Sequence, residues 1–186
     1  MNTSKHSNLV GSHAFLSASQ YHWLYYDREK LVSTYKNALA KQRGTKLHSI
    51  AADLITESIK LPRNKQTLNM HVNDAIGFKM MPEQVLYYSD NCYGTTDAIS
   101  FRNGFLRIHD LKTGCTPAHM EQLYIYAALY CLENFIKPED IQMELRIYQN
   151  GEIFGVTPEA KDVHKVMDII ELDSKIIDEI KAEETI

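Results

Sequence analysis

Residues 93–114 read YGTTDAISFRNGFLRIHDLKTG, and this stretch decides which fold the sequence predicts. It holds two runs rich in Tyr, Ile, Phe and Leu, at 93–101 and 105–112, and such runs are typical of β-strands. Between them, Asn103-Gly104 is the strongest short hairpin signal, because both residues tolerate the positive φ of a type I′ turn. The stretch is therefore predicted to form a β-hairpin.

The register of this hairpin brings two acidic residues together. With Asn103 and Gly104 as the loop, residues pair outward from the turn, and the side chains of alternate pairs share one face. The pairs on the apolar face are Phe101 with Leu106, Ile99 with Ile108, and Asp97 with Asp110. Lys112 follows on the same face. Two carboxylates opposed at ~5 Å repel one another, so we expect a cation there. This cation is either the Lys112 ammonium alone, at the solvent-exposed end of the sheet, or a divalent metal ion with oxygen ligands.

The rest of the chain predicts an α+β domain, with helices and a mixed sheet. The predicted helices lie around 21–25, at 27–42, from 45 to Pro62, and at 67–78, 117–133 and 158–181. The other predicted strands lie at 84–89, 141–148 and 152–156. Gly44 is expected to end one helix before the next begins. No linker or repeat interrupts the chain, which indicates a single domain over residues 1–186, with 1–14 loosely held.

Composition excludes several classes of protein. The net charge of −4 leaves no large basic field for nonspecific nucleic-acid binding, although metal ions can neutralise phosphate locally. No run reaches the ~18 apolar residues of a membrane span, and no signal-peptide core is present. Three unpatterned cysteines, Cys92, Cys115 and Cys131, argue against a disulfide framework or a four-cysteine zinc site. The expected location is the cytoplasm.

Four short motifs occur in a recognisable order. They are Gly44-x-x-x-His48, Gly94-Thr95-Thr96-Asp97, Asp110-Leu111-Lys112-Thr113-Gly114 and Gln122-x-x-x-Tyr126. This set resembles the RecB-like branch of the PD-(D/E)xK nuclease superfamily, which includes phage exonucleases and CRISPR-associated adaptation nucleases. The stretch at 17–19 also resembles phage-encoded members. Asp97 lacks the preceding proline of the family name, and Asp110 replaces the commoner Glu. The resemblance implies a restriction-endonuclease-like αβββαβ core over residues 44–156 after a helical N-terminal region.

The resemblance also implies a metal site. Asp97, Asp110, the Leu111 carbonyl and His48 would hold Mg²⁺, for which Mn²⁺ can substitute. Lys112 would orient the attacking water or stabilise the developing negative charge, and it counts with Asp97 and Asp110 among the catalytic residues. The four cysteines that bind an iron–sulfur cluster in some relatives are not matched, so we predict no cluster.

The remaining motif residues are assigned to the substrate. Gln122 and Tyr126 are four residues apart, so they share one face of a helix. In the resembling family this pair faces the active site, where Gln122 would bond the nucleic acid or the water and Tyr126 would contact the strand. Both are predicted to be catalytic and substrate-binding. Thr113 and Gly114 would form a turn that lets the substrate backbone approach.

These features favour a metal-dependent nuclease that hydrolyses DNA phosphodiester bonds. We expect an exonuclease of phage or mobile-element origin, acting in DNA processing or recombination in the host cytoplasm. Its partners would be DNA and either a second copy or a recombination or replication protein, with no membrane. One alternative is a catalytically silent protein of nuclease fold that binds nucleic acid or a protein partner. Another discards the motifs and leaves a small α+β interaction protein.

Overall fold

The computed structural model describes residues 6–114 and 116–184, so Cys115 lies outside the described residues. The helices are α1 (Arg28–Thr56), α2 (Thr67–Gly77), α3 (Glu121–Asn134) and α4 (Ala160–Glu184). The strands are β1 (Met81–Ser89), β2 (Cys92–Arg102), β3 (Phe105–Leu111), β4 (Gln142–Gln149) and β5 (Glu152–Val156). Short 3-10 helices occupy Ser7–Leu9, Ala18–Tyr25 and Pro138–Asp140.

The five strands form one mixed sheet in the order β1-β2-β3-β4-β5. Strands β3 and β4 are parallel and joined through α3, whereas the other neighbours pair antiparallel. The predicted mixed α+β class with a helical N-terminal region is confirmed. The order of helix, three strands, helix and strand is compatible with the expected αβββαβ core.

The β2–β3 hairpin has the register that its turn predicts. Asn103 and Gly104 have φ values of 52° and 72°, as a type I′ turn requires. The pairs include Phe101 with Leu106, Ile99 with Ile108, and Ala98 with His109. The paired residues end there, so Asp97 and Asp110 follow directly at the end of the ladder.

Each face of the sheet packs on its own set of helices. On one face, Ile99 and Ile108 join Leu123 and Ala127 of α3 in a buried cluster. On the other, Ala98 packs in a second cluster that includes residues of α1 and α2; these are Ala51, Ile55, Val72 and Ala75. Next to Asp97 on β2, Ala98 therefore faces α1 and α2, and Ile99 faces α3.

The prediction that Gly44 ends a helix is wrong, because α1 continues through it from Arg28 to Thr56. Gly44 is buried, and a β-carbon there would lie 2.8 Å from Thr113 Oγ1. This glycine is needed for the close approach of a turn to α1. A helix tolerates an internal glycine at a cost of about 1 kcal/mol relative to alanine.

Helix α3 begins at Glu121, four residues later than the sequence pattern predicts. The buried side chain of Gln149 explains the delay. Its Nε2 donates to the carbonyls of Gly114 and Thr116, and its Oε1 accepts from the Ala118 amide. These backbone groups are thereby held in a loop, outside the hydrogen-bond pattern of the helix.

Contacts within the chain define two compact units, one ending at Arg43 and one beginning at Gly44. Every predicted site residue belongs to the second unit. Among residues 6–114 and 116–184, no helix combines the length and apolar character needed to cross a bilayer.

Candidate active site

His48 and Asp97 form the centre of the site. His48 lies on α1, one turn before the buried Ala51, and its Nδ1 is 2.9 Å from Asp97 Oδ1. The other carboxylate oxygen, Oδ2, accepts the Leu111 amide at 2.6 Å, so the side chain of Asp97 bridges α1 and the end of β3. The hydrogen bond with Asp97 raises the pKa of the His48 imidazole, although partial burial opposes the shift. Both side chains are thus held in place before any ligand binds.

Glu83 is a site residue that the sequence interpretation missed. Ligand atoms of His48, Glu83 and Asp97 all lie within 4.8 Å of one another. Glu83 has a φ of 50°, which is rare for a residue other than glycine inside a strand. Burial, and then the charge of Asp97, raise the pKa of its carboxyl group. Pairing of Pro82 with Ala98 sets Glu83 opposite Asp97, a tertiary relation that no sequence motif signals.

Asp110 and Lys112 form an ion pair next to this group. The Lys112 Nζ lies 3.1 Å from Asp110 Oδ1 and 3.0 Å from Oδ2. Burial raises the pKa of Asp110, the charge of Asp97 raises it further, and Lys112 opposes both effects. The Oδ2 atom is buried, and its charged neighbour is the Lys112 ammonium. Asp110 is not a member of the three-residue group, yet its carboxylate and the carboxylate of Asp97 repel one another.

A chain of hydrogen bonds connects Lys112 to the strand that carries Asp97. Lys112 Nζ donates to Gln122 Oε1 at 2.7 Å, and Gln122 Nε2 donates to the Tyr126 hydroxyl at 2.9 Å. That hydroxyl donates to the Thr95 carbonyl at 2.7 Å. Gln122 and Tyr126 therefore share one face of α3, as predicted. In this structure they bind the lysine and the backbone of β2.

The turn after Lys112 is held from two sides. Thr113 packs against Gly44 of α1, and the Gly114 carbonyl accepts from Gln149 of β4. Gln149 gave no recognisable motif, so its role was not predictable from sequence. The turn is exposed at Thr113 and Gly114, which leaves it accessible to a ligand.

The predicted site residues thus come together at one end of the sheet. Leu111 contributes its amide to Asp97; the predicted use of its carbonyl as a metal ligand stays a prediction. Asp53 on α1 and Glu57 directly after its end are exposed, and neither belongs to the group around Asp97.

The donor atoms fit a divalent cation. Carboxylate oxygens of Glu83 and Asp97 with one imidazole nitrogen are ligands that Mn²⁺ accepts, and Mg²⁺ binds to one or two carboxylates with retained water. The buried Asp110 Oδ2, which lies 3.0 Å from the Lys112 ammonium, is a further carboxylate oxygen nearby. The hydrogen bond with Asp97, and then the charges of Asp97, Asp110 and Glu83, raise the pKa of His48.

Comparison of the chain with models of known protein families and with curated proteins gave no match. Membership of a nuclease family therefore stays a proposal.

Proposed function

We propose that the chain is a metal-dependent nuclease that hydrolyses phosphodiester bonds of DNA. One observation carries this proposal: the His48–Glu83–Asp97 group lies beside an Asp110–Lys112 ion pair at the same end of the sheet. A cluster of cation ligands next to a fixed ammonium suits a reaction in which negative charge develops on a phosphoryl group. The order of motifs that resembles the RecB-like nucleases supports the same reaction.

His48, Glu83 and Asp97 would hold the cation, with Asp110 beside them. When bound, a divalent cation lowers the pKa of a bound water and offsets the charge of the phosphate. Mg²⁺ is the expected ion, and Mn²⁺ can substitute. Asp97 acts here through two bonds that fix its carboxylate, one to His48 and one to the Leu111 amide. This preorganisation reduces the rearrangement that metal binding requires.

Lys112 would stabilise negative charge in the transition state and orient the attacking water. Hydrogen bonds to Asp110 and Gln122 fix the position of its ammonium group next to the metal-ligand residues. Less side-chain entropy is therefore lost when the substrate binds. The amine donates a hydrogen bond to the Asp110 carboxylate, which supports an electrostatic role over that of a general base.

The biological setting follows from the resemblance. We propose an exonuclease of phage or mobile-element origin, located in the cytoplasm of the host, that acts on DNA ends in DNA processing or recombination. A second copy of the chain or a replication or recombination protein would be its partner.

The test is a cleavage assay on labelled single-stranded and double-stranded DNA, linear and circular, with Mg²⁺, Mn²⁺ or chelator. We expect cleavage of linear DNA only with metal, and none by Asp97→Asn. Asp53→Asn is the matched control, since Asp53 is an exposed acid on the same helix as His48. Metal-dependent cleavage that survives Asp97→Asn would refute the proposal. DNA binding without cleavage in every condition would favour the catalytically silent alternative.

A further inference from the structure

Two tyrosines form an exposed stacked pair on the β1–β2 hairpin. Tyr87 and Tyr93 are cross-strand partners, their ring centroids are 6.2 Å apart, and the planes differ by 26°. Their exposed fractions are 44% and 63%, although large apolar rings are normally buried where the fold allows it. Next to them, Val85 is 58% exposed and pairs with Thr95. The hairpin thus presents an apolar surface, the tyrosine face, formed by Tyr87, Tyr93, Val85 and Thr95.

The tyrosine face points away from α3. Leu86 is buried in the cluster that contains α3, and a β-carbon on its partner Gly94 would touch Tyr126 of that helix. Because side chains alternate along a strand, the neighbours of Leu86 and Gly94 point to the opposite side. That side is open at the hairpin, as the exposed fractions of the tyrosines show.

The tyrosine face leads directly to the metal-ligand group. Along β1 every second residue is exposed from Tyr87 through Val85 to Glu83. Along β2 Tyr93 and Thr95 are exposed, and Asp97 follows two residues after Thr95. The carboxylates of Glu83 and Asp97 meet at His48. Four residues at ~3.3 Å each place the tyrosine pair about 13 Å from the acids along the strands. A nucleic-acid strand with its phosphate at the acids covers that distance within a few nucleotides.

We propose that the tyrosine face binds unpaired bases of a single-stranded nucleic acid whose backbone enters the metal site. This inference rests on the proposed nuclease function and adds the class of substrate. Tyrosine rings stack on any base whose face is accessible, and in a duplex the neighbouring bases cover those faces. The charged group that bonds the ring of Tyr87 is a carboxylate, because the Tyr87 hydroxyl donates to Asp90. Carboxylates repel phosphate, so this surface recognises bases.

The experiment measures binding without cleavage. Fluorescence anisotropy is recorded for a labelled oligothymidylate, an oligouridylate and a DNA duplex of the same length, with Ca²⁺ in place of Mg²⁺. We expect tighter binding of the single strands than of the duplex. Tyr93→Leu should weaken single-strand binding by about tenfold, as the loss of one stacked base predicts, whereas Tyr93→Phe keeps the ring and the affinity. Phe154→Leu is the matched control, because Phe154 is 49% exposed on β5, the opposite edge strand.

A second measurement does not depend on losing the cross-strand pair. Tyr93→Trp places an indole on the tyrosine face, and Phe154→Trp places one on the control strand. Oligothymidylate should quench the emission of the first and leave that of the second unchanged. Equal quenching of both, no loss of affinity in Tyr93→Leu, or duplex binding as tight as single-strand binding would overturn the inference.

The two proposals fail separately. Metal-dependent cleavage with no effect of the Tyr93 variants sinks the tyrosine face alone. The expected binding pattern without metal-dependent cleavage supports the tyrosine face and sinks the nuclease. The oligouridylate shows whether the sugar is selected as well as the unpaired base.

Discussion

A β-carbon on Gly94 would lie 2.9 Å from Cε1 of Tyr126, so the tyrosine ring packs directly on the bare backbone of β2. The hydroxyl of the same ring donates to the carbonyl of Thr95, the next residue along the strand. Helix α3 is therefore tied to β2 two residues before Asp97. Gly94 and Tyr126 belong to two separate motifs, and the close packing of the ring on the backbone requires both of them.

We expect Gly94→Ala to disturb the site through Tyr126. The added methyl group forces the ring away from β2, and overpacking of this kind costs about 1–3 kcal/mol in the free energy of unfolding. Cleavage should fall, because the displaced hydroxyl no longer holds Gln122. Denaturant unfolding and single-turnover cleavage measure the two effects. Gly155→Ala on β5 is the control, since its nearest neighbours would lie at 3.7 and 3.8 Å. Equal behaviour of the two variants would contradict the packing argument.

Gly44→Ala tests the contact between α1 and the turn after Lys112. Alanine is the better helix former by about 1 kcal/mol, but its β-carbon would lie 2.8 Å from Thr113 Oγ1. We expect reduced cleavage as the turn is displaced. Adding Thr113→Ala removes the clashing oxygen and should restore cleavage, with a gain in stability over the parent. If the double variant stays as impaired as Gly44→Ala, the glycine has another role.

The sequence was sufficient where a local rule sets the geometry. Asn103-Gly104 fixes the hairpin, the hairpin fixes the register, and the register brings Asp97 and Asp110 to the end of the ladder. It was insufficient where a residue acts through a distant neighbour. Gly44 looks like a helix end in the sequence, because the residue that requires a glycine there, Thr113, is far along the chain.

Glu83 and Gln149 are two further residues whose roles could not be predicted from the sequence. Glu83 enters the site through pairing of β1 with β2 and an unusual φ, neither of which gives a motif. Gln149 delays α3 by binding loop carbonyls that no periodicity reveals. Both effects are tertiary, so a pattern of local propensities does not contain them.

Glu83 is expected to show the cost of its backbone conformation. A positive φ costs a residue with a β-carbon roughly 1–2 kcal/mol, and glycine avoids that cost. Glu83→Gly should therefore unfold at higher denaturant concentration than Glu83→Ala. Both variants, and Glu83→Gln, should bind Mn²⁺ at least about tenfold more weakly in calorimetric titration. Unchanged Mn²⁺ affinity in all three would remove Glu83 from the ligand group.

His71 should make stability depend on pH. Burial lowers the pKa of its imidazole to about 4 from 6.5, and neither ring nitrogen has a hydrogen-bond partner among the described residues. Between those two values the unfolded chain binds the proton that the folded chain refuses. The contribution of His71 to the free energy of unfolding is therefore complete above pH 6.5. It decreases by about 3 kcal/mol as the pH falls to 4.

The measurement compares unfolding of the parent and His71→Phe from pH 7 to 4. Phenylalanine needs no proton and keeps an aromatic ring next to Tyr148, whose centroid lies 5.2 Å away. We expect the difference between the two proteins to change across the interval in favour of the variant. Parallel curves for the parent and His71→Phe would show that His71 takes up its proton in the folded state.

Tyr126→Phe separates positioning from substrate stacking. The variant keeps the ring on Gly94 but loses the hydroxyl that donates to Thr95 and accepts from Gln122. If Tyr126 acts by holding Gln122 and Lys112, turnover should drop by about tenfold, the worth of a hydrogen bond of 1–1.5 kcal/mol. KM and Mn²⁺ affinity should stay unchanged. If the ring stacks on a base, phenylalanine should behave as the parent and Tyr126→Leu should raise KM.

Lys112→Met is the reference: it removes the charge itself, so turnover should fall by about 10²–10³ while Mn²⁺ still binds. A Tyr126→Phe variant with normal turnover would leave the lysine positioned by Asp110 alone.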